Sequence, residues 1–160
     1  MPFLEWLESS GFGTFVRESE SLLGYPTFST LHTMGLSIIV GLSTVVAARI
    51  VGFAPTMRLA PLGKLYPVMW FGFAVNLFSG TGLALAAAST TIPNPLFIFK
   101  MVSVISAVVI LRILQVRVLR NPEVDTKPVD GTSIALAGVL LFLWLAAMIA
   151  GRMIAYGFLE

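Results

Sequence analysis

Three of the four long apolar stretches in this 160-residue sequence carry an ionisable side chain near the end that the charge pattern places on one common membrane face: His32, Lys100 and Arg152. Each is about one and a half helical turns from the end of its stretch. An ionisable group inside a bilayer is energetically unfavourable, so it is a candidate functional site. If the chain crosses the membrane as its charges indicate, the three groups share one depth and form a cationic layer. Such a layer suits an anion, for example haem propionates, a lipid headgroup or a carboxylate of a partner protein.

Of these three residues, His32 can bind the widest range of ligands. A neutral imidazole is the usual axial ligand of membrane b-type haem, and it also binds copper, so His32 is a candidate ligand of haem iron or copper. Gly35 lies one turn deeper and nearly beneath His32, where a flat ligand could approach the backbone. The sequence has one histidine, so a second axial ligand would be a methionine: Met101 or Met153 at similar depth, or the deeper Met148. The alternative is a histidine that only bonds a neighbouring helix.

Lys100, Arg152 and Asn76 complete the set of candidate binding residues. Lysine and arginine near a helix end often extend their charged tips to the membrane interface without any further role. Asn76, with Ser79 and Thr81, offers hydrogen-bonding groups near mid-membrane that could serve a quinone or join two helices. Helix contact is the interpretation that we favour for Asn76.

The composition is that of an integral membrane protein. The chain is 57% hydrophobic and 11% charged, with a mean hydropathy of +0.92, so a soluble core of this size cannot hide its apolar surface. The net charge is only +2, and the basic residues flank the apolar stretches, which excludes a nucleic-acid partner. The absence of cysteine excludes disulfides, thiolate zinc sites, iron–sulfur clusters and covalent c-type haem.

Four apolar stretches have the length, about 20 residues, that crosses a bilayer. They predict an all-α, membrane-embedded four-helix bundle in residues 27–160, with spans at 27–52, 65–89, 96–118 and 133–158. Residues 1–26 form an N-terminal segment in which Pro2 to Ser9 predicts a short helix that lies in the membrane interface.

The basic residues of the connecting segments predict the orientation. The first and third connections carry the basic residues Arg49, Arg58, Lys64, Arg117, Arg120 and Lys127, whereas the second carries none. Because basic residues concentrate on the cytoplasmic side, these two connections should be cytoplasmic. Both termini are then extracytoplasmic.

Small residues recur along two of the predicted helices. One stripe consists of Gly72, Asn76, Gly80, Ala84 and Ala88, and the other of Ala147, Gly151 and Ala155. Such faces let helices approach closely in lipid, either within the bundle or against another subunit. Packing within the bundle is the interpretation that we favour.

The spans contain no Asp or Glu, which disfavours a transporter that relays protons through carboxylates. No Gly-rich phosphate loop, catalytic carboxylate pair or Ser/His/Asp arrangement can be assembled. Whether the protein is an enzyme stays uncertain at this stage, and a non-catalytic role is favoured.

Three segments carry a resemblance: LHTMGLSIIVG at residues 31–41, WFGFAVNLFSGTGLAL at 70–85 and NPLFIFKM at 94–101. They resemble an uncharacterised family of small bacterial inner-membrane four-helix proteins. That family is distantly similar to the membrane domain of CopD-type copper-resistance proteins and to cytochrome b561-like bundles. The resemblance implies a place in the bacterial inner membrane, His32 and Lys100 as site residues, and Gly80 and Gly82 at a close helix contact. The chain lacks the further helix histidines that hold haem in b561-like bundles.

These observations leave three functional hypotheses. The first is a non-catalytic subunit that docks on or stabilises a larger membrane complex of redox type. The second is an electron-transfer module in which His32 binds haem b or a quinone, with Lys100 and Arg152 pairing the haem propionates. The third is a permease for a metal or small solute that uses His32 and methionines.

Overall fold

The structure, a computed structural model, describes residues 2–157 and consists of helices and their connections. Its four long helices are α3 (Tyr25–Val51), α4 (Tyr66–Ala86), α6 (Pro95–Leu114) and α7 (Gly131–Ala155). Its short helices are α1 (Pro2–Glu8), α2 (Gly11–Glu18) and α5 (Ala88–Thr91). A 3-10 helix at Ala60–Leu65 leads into α4, and a π-helical turn at Gln115–Leu119 follows α6. The predicted all-α four-helix bundle with a short N-terminal helix is confirmed.

Prolines and polar caps determine where the long helices begin. α3, α4 and α6 carry a proline in the first turn, where a missing N–H removes no helical hydrogen bond. The Asn94 side chain accepts from the backbone N–H of Leu96 at 2.9 Å, and that of Asp130 accepts from the N–H of Ser133 at 3.1 Å. α3 ends at Gly52, whose φ of 100° is left-handed and favours glycine.

Two predicted spans have different bounds from the observed helices. The predicted span 65–89 is divided, because Ala87 leaves the helical conformation with φ −139° and ψ 46° and a one-turn helix follows. The predicted span 133–158 begins earlier, at Gly131, because Asp130 caps the helix. The predicted end at residue 158 lies outside the described residues, as do residues 159 and 160 of the predicted domain.

The long helices form two hairpins, α3 with α4 and α6 with α7. Contacts between α3 and α7 hold the two hairpins together. Within residues 2–157, α4 and α6 share few close backbone approaches. They meet at one end, where the Tyr66 hydroxyl donates to the carbonyl of Leu111 at 2.9 Å. We call this the Tyr66 end and the opposite end, where α3 and α6 begin, the His32 end.

The surface and interior of the bundle are those of a protein solvated by lipid. All four long helices are long and apolar enough to cross a membrane, and many large apolar side chains, such as Phe71 and Phe142, are exposed on them. The buried hydroxyls of Ser43, Ser79 and Ser103 donate to carbonyls one turn earlier in their own helices. Internal pairing of this kind is required where water is absent.

The connections at the Tyr66 end are tied to each other. The Asp125 carboxylate in the third connection accepts from the backbone N–H groups of Leu59 at 2.6 Å and Ala60 at 3.2 Å. It thereby caps the 3-10 helix that leads into α4. In the first connection, Arg49 Nε donates to the carbonyl of Met57.

Candidate functional site

The closest helix contact in the bundle is between α3 and α4 and is made by glycines. A Cβ on Gly35 would lie 2.6 Å from the backbone N of Asn76 and 2.7 Å from the carbonyl oxygen of Gly72. A Cβ on Gly72 would lie 2.6 Å from the Ile38 side chain. Any side chain at Gly35 would therefore collide with backbone. The stripe of small residues on α4 packs within the bundle, as favoured from the sequence.

The contact brings His32 against Asn76 and Ser79, a group that we call the polar cluster. His32 Nδ1 lies 3.1 Å from the backbone carbonyl oxygen of Asn76. The Asn76 side-chain amide donates to the His32 carbonyl at 2.9 Å and lies 3.3 Å from Nδ1. Ser79 Oγ lies 3.5 Å from Nδ1 and donates to the Val75 carbonyl at 2.6 Å. Asn76 thus joins two helices, and it does so through His32.

This geometry selects one tautomer of His32. A carbonyl oxygen can only accept, so the 3.1 Å contact with Asn76 is a hydrogen bond only if Nδ1 carries the proton. The Asn76 amide has its shorter bond to the His32 carbonyl and does not require Nδ1 as an acceptor. We therefore assign the proton to Nδ1, which leaves a lone pair on Nε2. Within residues 2–157 no hydrogen bond involves Nε2.

The His32 ring rests on helix α4 at Gly80. A Cβ at Gly80 would lie 2.8 Å from His32 Cε1 and 3.1 Å from Nδ1. Gly80 therefore makes room for the imidazole, just as Gly82 makes room for the ring of Phe28, one turn earlier in α3. The face of Gly35 that was expected to admit a flat ligand is covered by the backbone of α4.

Lys100 crosses from α6 to α7. Its Nζ and Cε would each lie 3.4 Å from a Cβ placed on Gly151, so the small residue in α7 provides the seat for the lysine stem. The side chain is half-buried. Among the described residues, no carboxylate lies within ion-pair distance of Nζ. Lys100 thus packs across the pair α6 and α7, whereas His32 packs across the pair α3 and α4.

Arg152 has a different environment. Its guanidinium donates to the Tyr156 hydroxyl at 3.0 Å and stands 4.9 Å from the centre of that ring. Gly151, which seats Lys100, is buried more deeply than Arg152, whose side chain is exposed. This contact runs along its own helix, and the expected approach of Arg152 to His32 and Lys100 stays a prediction.

The N-terminal helices cover the His32 end. Phe12 of α2 packs edge-on against Phe28 of α3, with ring centres 5.6 Å apart. The Glu8 carboxylate accepts from the Ser89 hydroxyl at 2.5 Å and from the Ser89 N–H at 3.0 Å. The Arg17 guanidinium donates a hydrogen bond to the Glu8 carboxylate at 2.9 Å. The Ser89 hydroxyl, the Ser89 N–H and Arg17 lower the pKa of Glu8, because they stabilise its charged form.

The second of these helices, α2, was not predicted. Its signals were present in the sequence: Ser10 caps it by accepting from the N–H of Gly13 at 3.2 Å, and its apolar residues are spaced for one buried face. Val16 on that face is fully buried.

The residues around His32 do not fit a haem held by this chain alone. The Gly35 and Gly80 faces are filled by α4 and by the imidazole itself. Two of the three candidate second ligands face elsewhere: Met148 is 41% exposed, and Met153 lines a groove on the outer side of α6 and α7. Within residues 2–157 there is also no group of three or more His, Cys, Asp or Glu side chains that could hold a metal ion.

No protein-family model, curated protein or solved structure matches the chain. The four apolar helices establish a multi-pass membrane protein.

Proposed function

We propose that the protein is a non-catalytic subunit that docks on a larger complex in the bacterial inner membrane. The observation that carries this proposal is Lys100. A charged side chain within a membrane helix costs about 2.5–3.5 kcal/mol at the centre of the bilayer and less near its ends, unless an opposite charge offsets it. Since the spans contain no carboxylate, the counter-charge comes from another molecule.

The position of Lys100 supports a partner helix that carries an Asp or Glu at the same depth. Lys100 lies one and a half turns inside α6, with its stem on Gly151. α4 and α6 are joined at the Tyr66 end and approach each other little elsewhere among the described residues. We assign the partner helix to the space between them at the His32 end. The resemblance to b561-like bundles is the reason for proposing a redox complex.

The test is purification in mild detergent with quantitative mass spectrometry. The unmodified chain should recover neighbours at fixed stoichiometry, at least one of which has an Asp or Glu within an apolar span. Lys100→Met removes the charge and keeps the volume, so it should lower recovery at least tenfold, while Lys100→Arg should lower it less. Lys64→Met removes an exposed lysine at the Tyr66 end and is the matched control.

A reciprocal exchange sharpens the result. Lys100→Glu should lose the neighbour, and a lysine in place of the partner's carboxylate should restore it. A clean monomer from the unmodified chain, or full recovery with Lys100→Met, would contradict the proposal.

A second candidate is an electron-transfer module that binds a quinone at His32. The observation that favours it is the lone pair on Nε2, oriented by the bond from Nδ1 to a backbone carbonyl, as in many ligand-binding histidines. Neutral Nε2 can accept from a quinol hydroxyl, and the Lys100 ammonium can donate to a quinone oxygen. Quinone that co-purifies with the protein, and falls at least tenfold in His32→Gln, would support this candidate. A Soret band after expression with added haem would instead point to haem.

We also propose that both termini are extracytoplasmic, on the strength of the basic residues in the first and third connections. Alkaline phosphatase fused after residue 91 should be active, and the same enzyme fused after residue 58 should be inactive. The opposite pattern would reverse the orientation.

A further inference from the structure

A shallow apolar groove runs between α6 and α7 on the lipid-facing side of the bundle. Its volume is about 260 Å³. We call it the outer groove, and its main lining residues are Leu96, Phe99, Phe142, Leu145, Ile149 and Met153. Phe99, Phe142 and Leu145 are each more than half exposed, so in a membrane the groove is filled by something apolar.

A cation lies at one end of the outer groove. Leu145, Ile149 and Arg152 are spaced i, i+4 and i+7, so they form one row on α7 and Arg152 continues the wall of the groove. The guanidinium donates to Tyr156, in the last residues of the helix, and therefore points away from the bilayer centre. A charged tip in this position lies at the level of lipid headgroups.

We propose that the outer groove binds one acyl chain of an anionic phospholipid, whose phosphate contacts Arg152 and the Tyr156 hydroxyl. Charge complementarity selects this occupant. Arg152 makes no ion pair with a carboxylate of the described residues, and an arginine fork bonds phosphate oxygens in pairs. The tyrosine ring holds the guanidinium from one side and leaves its other N–H groups for the lipid.

A fluorescence reporter inside the groove can test this. Phe142→Trp places an indole on the groove wall, and Trp6→Phe with Trp70→Phe removes two of the three native tryptophans. The third, Trp144, is 2% exposed and gives a baseline that is measured without the reporter. The protein is reconstituted in vesicles that mix unlabelled phosphatidylcholine with dibrominated phosphatidylglycerol or dibrominated phosphatidylcholine, and bromine quenches a neighbouring indole.

We expect half-quenching at about fivefold lower mole fraction for the phosphatidylglycerol than for the phosphatidylcholine. Arg152→Gln should remove this preference and leave quenching by both lipids. Arg112→Gln, at the other end of α6, should leave the preference unchanged. Ala146→Leu fills the groove without altering charge and should weaken quenching by both lipids.

Three results would overturn the proposal. Equal quenching by the two lipids in the reporter protein would show that the groove does not select charge. A preference that persists in Arg152→Gln would place the anion elsewhere. Protection of the reporter from both lipids, together with cross-linked dimers, would identify a second copy of the chain as the occupant.

Discussion

Gly35→Ala tests whether the backbone contact between α3 and α4 determines the packing of the bundle. The new Cβ would lie 2.6 Å from Asn76 N, and ordinary contact begins at 3.4 Å. The helices would have to separate by about 0.8 Å, since backbone atoms cannot rotate away. Overpacking of this kind costs about 1–3 kcal/mol. Separation would also stretch the bonds between His32 and Asn76, which in membranes are worth about 0.6 kcal/mol each.

The matched control lies six residues further along the same helix. A Cβ on Gly41 meets nothing within 4 Å, so Gly41→Ala changes only helix propensity, which favours alanine by about 0.8–1.0 kcal/mol. The same gain applies to Gly35→Ala and cancels in the comparison. The free energy of unfolding should therefore be lower in Gly35→Ala than in Gly41→Ala by about 2 kcal/mol.

Unfolding in mixed micelles with increasing dodecyl sulfate, followed by tryptophan fluorescence, measures this difference. Gly35→Ala should unfold at a clearly lower detergent fraction than the unmodified protein, and Gly41→Ala at the same or a higher one. If the two variants unfold within about 0.5 kcal/mol of each other, the close contact at Gly35 does not exist in the membrane and the assignment of the His32 tautomer loses its basis.

Two further predictions concern the ends of the bundle. Tyr66→Phe removes the hydroxyl that bonds the Leu111 carbonyl at 2.9 Å and should lower the free energy of unfolding by about 0.6 kcal/mol, and by no more than about 1.7 kcal/mol, in the same assay. Glu8 has a folded-state pKa below its unfolded value, so its contribution is present near neutral pH and is lost as pH falls through the folded value. Amide exchange in α2, corrected for the intrinsic rate, should therefore accelerate at acid pH, where Glu8 takes up its proton. Glu8→Gln should show fast exchange at every pH, and slow exchange in this variant at neutral pH would contradict the role of the Ser89 bonds.

The spans were predictable because the length of an apolar stretch follows from the thickness of the bilayer. The division at Ala87 was not predictable, since alanine favours helix and nothing in the sequence around it marks a break. The depth of His32 and Lys100 could likewise be read from their distance to the helix ends. The residues that His32 and Lys100 contact could not be read from the hydropathy of their own helices, because a nearly uniform apolar helix gives no signal for its rotation about its own axis.

Small residues were the better guide to the site. The interval of four between Asn76 and Gly80 predicted a face of α4 that a neighbour contacts closely, and His32 with Gly35 is that neighbour. Gly151, in the stripe of small residues on α7, likewise indicated a close contact, and Lys100 makes that contact. The contact of Arg152 with Tyr156 at i+4 lies along its own helix, and the depth of Arg152 alone does not indicate it.

The arrangement as two hairpins has a consequence for biosynthesis. α3 and α4 leave the ribosome before α6 and α7, and the glycines of their contact lie entirely within these two helices. α6 and α7 can enter the membrane as a second unit and then dock through α3 and α7. Two separately translated fragments, divided between residues 91 and 94, should accordingly reassemble in the membrane, as independently inserted halves of one gene product.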